Sequence, residues 1–508
     1  MSDVPAAIKA AYDPERFRAD GHRLIDALAD QLAAWHAREG KAIPWHDPHE
    51  ARTEWASQLH TNEAHAVVGG ADLVADLARI AAASTALHHP RTMGHQVAPP
   101  LPGAALAELV SALINNGMAV AEMGPASTPI ELSVIDWMCT KIGFSPGGAG
   151  VLTSGGSVGN LTALLAMRQA KAGYDAWSSG AHAGPPLGVI VSSDAHYSID
   201  RALRVMGWGD GGAIRAEYDH RHRMTAASVE AAIAKAQGGT RSSSSRMSTG
   251  SEASGPVGAR RVIGIVAAAG STATGAFDPL DELADVAEKH GLWLHVDAAH
   301  GGSVALSETQ RSKLKGIERA DSVVWDLHKL MMMPALVTAV LFRQSGHAWE
   351  AFAQRASYLF ADAKPSEKWW DLATRTLECT KRAMAIEMWT ALRVHGESWF
   401  GAVVDRQRQL AIHLAQLVDA APDFELALAP ESNIVCFRHI PEGVPEDARE
   451  TLDRHNRGLR ERIVEDGTFY IVGTQLPGGF YLRSTLMNPM TEHDDLTALL
   501  DHIRTLAR

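Results

Sequence analysis

The chain has 508 residues, 46% of them hydrophobic and 21% charged, with a formal net charge of -12. That length calls for two or three domains, and the composition is that of an ordinary globular protein, not a disordered or fibrous one. The acidic balance excludes a broad phosphate-binding surface, and with it a nucleic-acid partner, but leaves room for an anion in one locally positive pocket.

Cys139, Cys379 and Cys436 lie far apart, a reduced pattern with neither a disulfide framework nor a metal-ligand pair. The first residues lack a basic stretch followed by an apolar one, and no apolar run is long enough to span a bilayer. The expectation is a cytoplasmic protein with no membrane partner.

In chain order, Phe17, Leu24, Ile25, Leu28, Leu32 and Trp35 recur near helical spacing and predict an amphipathic helix from residue 14 to about 39, in need of a partner surface. HHPRTMGHQVAPPLPG (88–103) breaks that pattern and reads as an ordered loop. Four runs follow, GVIVSS (188–193), RVIGIVAAA (261–269), LWLHVDAA (292–299) and DSVVWD (321–326), each apolar on both parities. That pattern predicts strands buried on both faces, hence parallel ones. Helical segments between them, SVGNLTALLAMRQAKAGY and LDELADVAEKHG, imply βαβ units and an α/β sheet. The Ser/Gly-rich stretch 238–258 reads as a flexible surface loop. After about residue 396 the texture changes to a smaller α/β unit. The expected division is an N-terminal helical segment (1–95), a large domain (96–395) and a small C-terminal domain (396–508).

Four constellations carry chemistry. In TSGGSVGNL, Gly155 and Gly156 let backbone N–H groups turn towards one point, Ser157 adds a hydroxyl and a helix begins at once, which makes a phosphate cradle. It is neither a Walker loop nor a G-x-G-x-x-G fingerprint. In LHVDAAHGG, Asp297 ends an apolar strand, where a buried carboxylate needs a cation, and strand ends of this kind line ligand crevices. His295, Asp297 and His300 could suggest a metal, but 295 and 297 share one strand face and the small residues nearby suit a flat ligand; no metal is expected. In SVVWDLHKLMMMP, Lys329 follows Asp326 and His328 and precedes an apolar run, a setting that strips hydration from an amine and suits it to covalent chemistry. In SSDAHYSIDRAL, His196 stands between a strand and a helix. Pyridoxal phosphate uses a lysine, an acid for its ring nitrogen, an anion cradle and a flat side chain against its ring, and so accounts for all four.

Together with HPRTMGHQ, GPASTPIELSVIDWM, GSTATGAFDPL, ASYLF and LRSTLMNPMTEHDDL, these motifs make the chain resemble, over nearly its whole length, the group II pyridoxal-phosphate-dependent amino-acid decarboxylases, such as the glutamate, cysteine sulfinate, diaminobutyrate and aromatic amino-acid enzymes. The resemblance implies an α/β chain of the type I aminotransferase fold, with a mostly parallel sheet in the large domain and a smaller C-terminal α/β domain, working as a homodimer with the N-terminal segment packed on the partner. It implies Lys329 as the Schiff-base lysine, Asp297 as the ring-nitrogen partner, His196 as the stacking residue, and Gly156, Ser157, Asp326 and His328 as phosphate neighbours. Thr272 would lie at the ring edge, Ala299 beneath it, and Thr380 would reach the partner's phosphate. Arg483 would hold a substrate carboxylate, with His95 and Gln96 near the substrate's side chain.

The implied reaction turns an L-amino acid into its amine and carbon dioxide. One departure bears on it: the loop after ASYLF usually carries a proton-donating tyrosine, and here Trp369 falls nearest that position. An indole N–H is a donor and a very poor acid. Tyr358 or a histidine are the other candidates, and oxidative deamination to an aldehyde is the alternative outcome. A silent cofactor-binding protein is the third reading, against which the intact set of Lys329, Asp297 and His196 counts.

Overall fold

A computed structural model of the chain describes residues 5–58, 72–238, 259–352, 369–445 and 447–508. They divide into two compact units, one of residues 1–95, 413–427 and 436–508 and the other of residues 96–412 and 428–435.

The larger unit is built on seven strands: β1 (Ala149–Thr153), β2 (Leu187–Ser192), β3 (Ala213–Ala216), β4 (Arg261–Ala268), β5 (Trp293–Asp297), β6 (Ser322–Asp326) and β7 (Thr338–Phe342). Their order is β1-β7-β6-β5-β4-β2-β3. The four runs expected as parallel strands are β2, β4, β5 and β6, and they pair in parallel, with β3 parallel beyond β2. β7 runs antiparallel to both β6 and β1. Its sequence, TAVLF, is as apolar as its neighbours, so nothing local marks the reversal. The reason is the connection: residues 327–337 are too few for the crossover helix that a parallel return requires. That short return carries Lys329.

Helix Gly156–Lys171 covers the sheet with Ala163, Leu164, Ala166 and Met167, all fully buried, and joins a core that includes Val191, Trp293, Val324 and Phe342. Apolar positions on every side of this helix follow from its lying between the sheet and further helices.

A second sheet holds β8 (Phe424–Leu426), β9 (Ile434–His439), β10 (Val472–Leu476) and β11 (Gly479–Thr485) in the order β10-β11-β9-β8, all in the smaller unit but for the first two residues of β9. Helix Arg449–Asp466 packs on it with Leu452, Leu459 and Ile463. Helix His493–Ala507 begins with a capping box between Glu492 and Asp495, satisfying two otherwise unpaired N–H groups. The expected N-terminal helix runs Pro14–His36, started by Asp13, whose carboxylate accepts from the Glu15 amide. None of its residues is buried, and Phe17, Ile25 and Leu28 remain exposed. Of the Ser/Gly-rich stretch, all but Gly238, the last residue of helix Ala226–Gly238, lies outside the described residues.

Candidate functional site

Strands β2, β4, β5 and β6 end side by side, and the turns leaving them enclose a cavity of about 340 Å³ within the larger unit. Gly156, Ser157, His196, Thr272, Asp297, Ala299, Asp326, His328 and Lys329 all line it. These residues span more than 170 positions and meet because parallel strands deliver their carboxyl ends to one edge.

The turn from β1 into helix Gly156–Lys171 forms one wall. Gly155 has φ +116° and ψ 158°, a conformation an L side chain rarely adopts. A Cβ on Gly156 would stand 3.2 Å from Asp326 Oδ1. The two glycines thus bring the positive end of a sixteen-residue helix to the wall, flanked by the hydroxyls of Ser154 and Ser157.

Asp297 closes β5. Its Oδ2 accepts from Asn160 Nδ2 at 2.9 Å and its Oδ1 from the Ala299 amide at 3.2 Å. Among the described residues no cationic side chain pairs with it. His196 caps helix Tyr197–Val205, its Nδ1 lying 2.8 Å from Ser198 Oγ, and burial holds its imidazole below the ordinary histidine range.

Lys329 Nζ lies 3.0 Å from Asp326 Oδ2, so its amine is paired as well as set against buried Leu330, Met331, Met332 and Met333. Asp326 Oδ1 accepts from Thr338 Oγ1 at 2.5 Å. His328 Nδ1 is bonded to the Val337 backbone, and its Nε2 is 3.6 Å from Asp326.

The remaining candidates do not line this cavity. Thr380 is exposed, and its Oγ1 accepts from the Met118 amide at 3.1 Å. Gln96 is buried, with Nε2 unpartnered among the described residues. Trp369 is exposed and meets Trp370 edge-on at 5.8 Å, while Tyr358 lies outside the described residues. His95 and Arg483 belong to the smaller unit. There His95 packs edge-on against Tyr470 at 5.9 Å. Arg483 is only 7% exposed, its Nη2 donates to Thr485 Oγ1 at 3.3 Å, and its Nε has no partner among the described residues.

Sequence reasoning passed over Asn160 and Asp194. Asn160 stood inside a quoted motif, one helical turn past Gly156, and a polar side chain on a helix otherwise buried there was the available signal. Asp194 lines the cavity and is held by His222 Nδ1 at 2.6 Å, although His222 sits at φ +60°, where a side chain is strained. His295 and His300 are committed to hydrogen bonds with Asn160 and Asn433.

The site's chemistry fits pyridoxal phosphate. A carboxylate without a protein cation suits a protonated ring nitrogen, a helix N-terminus with hydroxyls suits a phosphate, and an amine opens onto the space between them.

Residues 71–241 and 256–440 match the pyridoxal-dependent decarboxylase conserved domain. The chain is 30% identical to the cysteine sulfinic acid decarboxylase of Homo sapiens over 83% of its own length and 82% of that protein's. It is 29% identical to the L-2,4-diaminobutyrate decarboxylase of Acinetobacter baumannii, covering 83% and 80%. Among solved structures, mouse CSAD superposes with a TM-score of 0.85 at 26% identity, over 98% of this chain and all of that one. Among the described residues no helix is long and apolar enough to cross a membrane.

Proposed function

Because this chain belongs to the pyridoxal-dependent decarboxylase family and is a pyridoxal-phosphate-dependent amino-acid carboxy-lyase, we propose that the strand-end cavity is its active centre and Lys329 the amine that holds the cofactor. The observation that carries this reading is the convergence of Lys329, Asp297, His196 and the Gly155–Ser157 turn on one cavity. When bound, pyridoxal phosphate supplies the sink for the electron pair left on Cα as carbon dioxide departs.

The chain's own groups divide the work. Asp297 would pair with the ring nitrogen and favour its protonated form. The turn Ser154–Ser157 would hold the phosphate with N–H groups and hydroxyls, and His196 would offer a flat face to the ring. Thr272 and Ala299, which line the same cavity, would lie against the ring. Asp326 aims the Lys329 amine into the cavity from 3.0 Å.

For the substrate we favour a small amino acid with an acidic side chain. Arg483 supports this: a guanidinium 7% exposed, whose Nε has no partner among the described residues and whose pKa is pushed down by burial, calls for an anion. His95 and Gln96 are proposed to bound the substrate's side chain, and Trp369 to belong to the lid over it. The human relative acts, by its name, on cysteine sulfinic acid.

A homodimer in the cytoplasm completes the reading. Helix Pro102–Ile114 leaves Leu106, Leu109, Val110 and Leu113 exposed at helical spacing, an apolar stripe that a second copy would cover. Thr380, exposed and outside the cavity of its own chain, is then available to the partner's phosphate.

The test is product analysis of the purified protein with pyridoxal phosphate and a panel holding cysteine sulfinate, aspartate, glutamate, 2,4-diaminobutyrate and the aromatic amino acids. Carbon dioxide matched by amine, fastest on an acidic substrate, supports the proposal. Turnover of 2,4-diaminobutyrate alone would overturn the substrate class, and aldehyde with peroxide would overturn the product. Retention of the cofactor's colour in Lys329→Ala would remove that residue from its role. Aldehyde formation is not favoured over decarboxylation by the relatives at 30% identity.

A further inference from the structure

We propose that Asn160 is a positioning residue that aims the Asp297 carboxylate at the cofactor's ring nitrogen and decides which nitrogen of His196 carries the proton. The proposal rests on the active-centre reading above and extends it to Asn160, in the cavity wall, and to the enclosed residues behind it.

Asn160 is 1% exposed and its amide makes three hydrogen bonds. Nδ2 meets Asp297 Oδ2 at 2.9 Å and Ser198 Oγ at 2.9 Å, and Oδ1 meets His295 Nε2 at 3.0 Å. His295 Nδ1 lies 2.9 Å from Ser322 Oγ, which also receives the Trp293 indole N–H at 2.9 Å. Ser198 Oγ in turn lies 2.8 Å from His196 Nδ1.

The chemistry of the two ends sets the direction of every bond. An indole N–H only donates and a carboxylate only accepts. Asp297 therefore holds the Asn160 amide with Nδ2 towards itself and Oδ1 towards His295 Nε2, which leaves His295 Nδ1 to take the Ser322 hydroxyl proton while Ser322 accepts from Trp293. His295 must then carry its own proton on Nε2 and donate it to Asn160 Oδ1. This donor prevents the amide from turning over, so both Nδ2 protons stay directed at Asp297 and Ser198. Ser198, having accepted one, gives its hydroxyl proton to His196 Nδ1. The Ser198 backbone N–H also points at that nitrogen, at 3.3 Å, which independently makes it an acceptor. His196 thus carries its proton on Nε2.

The members lie where water cannot compete: His295, Ser322 and Trp293 are 0% exposed and Ser198 is 1% exposed. Burial holds His295 down to about 4, so it stays neutral and its assigned tautomer persists at physiological pH. A network satisfied at every atom has one orientation, and its loss at the hub releases both branches together.

The test begins with the apoprotein titrated with pyridoxal phosphate, followed by quenching of tryptophan fluorescence. Asn160→Ala is expected to weaken cofactor binding about tenfold or more, and to move the pH midpoint at which the bound cofactor's visible absorbance titrates. His295→Leu, which frees the amide to turn, should shift both readouts in the same direction, whereas His295→Gln keeps a donor and should recover most of the loss. Ser198→Ala cuts the His196 branch and should move the pH profile of kcat with cofactor affinity little changed. Wild-type affinity and an unmoved absorbance midpoint in a folded Asn160→Ala protein would overturn the proposal. If that variant does not fold, the His295 pair decides: equal behaviour of Leu and Gln overturns it. A wild-type protein that binds no pyridoxal phosphate would instead overturn the active-centre reading, a result distinct from these.

Discussion

In the strand-end cavity, Lys329 Nζ stands 3.0 Å from Asp326 with 17% of its side chain exposed. Elsewhere in the same unit, Lys381 is 3% exposed, pairs with Glu131 and donates to the Leu152 carbonyl at 2.6 Å. Glu131 meanwhile accepts the Leu152 amide at 3.0 Å. Among the described residues β1 has a neighbouring strand on one side alone, and this ion pair caps its other edge as a further strand would. Both lysines are paired with carboxylates, yet one amine opens onto a cavity while the other's donors are spent on the backbone and its partner. A buried lysine–carboxylate pair is therefore not a mark of chemistry; access is. Groups that face the cavity should report in activity, and enclosed groups in stability.

The largest effect expected from that contrast is on Lys329. Lys329→Ala should lower kcat by roughly three orders of magnitude or more while the thermal transition moves little. A variant that unfolds, or one that stays active, would erase the distinction between the two lysines.

Lys381→Ala should do the opposite, because it leaves Glu131 as a buried, uncompensated charge and costs about 3–5 kcal/mol in urea unfolding. Replacing both partners with apolar residues, Glu131→Leu with Lys381→Met, should recover much of that loss. Failure of the double variant to recover would mean that the pair's bonds to Leu152, and not charge compensation, hold the edge of β1.

Enclosed His295 sharpens the rule through pH. Its folded pKa is depressed to about 4 by burial, against an unperturbed value near 6.5. The native state therefore holds the neutral form, so stability is fully present above about 6.5 and is lost as the pH falls towards 4. The loss should amount to roughly 3 kcal/mol. Urea unfolding at pH 7.5 and pH 4.5 would measure it, and His295→Gln should flatten that part of the profile.

The smallest change in stability is expected at His222, which combines the two situations. His222→Gly relieves a residue at φ +60° but frees Asp194, which lines the cavity. Relief of strain of about 1 kcal/mol should nearly offset the lost contact, so stability should hold while KM changes. An unchanged KM would show that Asp194 needs no such support.

How much of this was readable in advance depends on how local each signal is. Asp297, His196 and Lys329 each sit at the end of an apolar run, and the alternation of such runs with helices already implies that their ends meet. β7 was not readable as a reversed strand, since TAVLF is as apolar as its parallel neighbours and only the short return from β6 decides its direction. Asn160 stood within a motif read for its glycines, yet its partners Asp297 and His295 are 137 and 135 positions away. Its polar side chain on an otherwise apolar helix was a signal that it has a partner, but not of which partner.

By itself, then, the sequence determined the family, the cofactor, the parallel strands and the residues that meet at their ends, because short apolar runs and strand-end motifs carry that information locally. Only the tertiary structure decided that Asp326 pairs with Lys329, and that Asn160 joins Asp297 to His295 and Ser198. Those choices rest on distances between side chains far apart in sequence, and packing, not local composition, sets them.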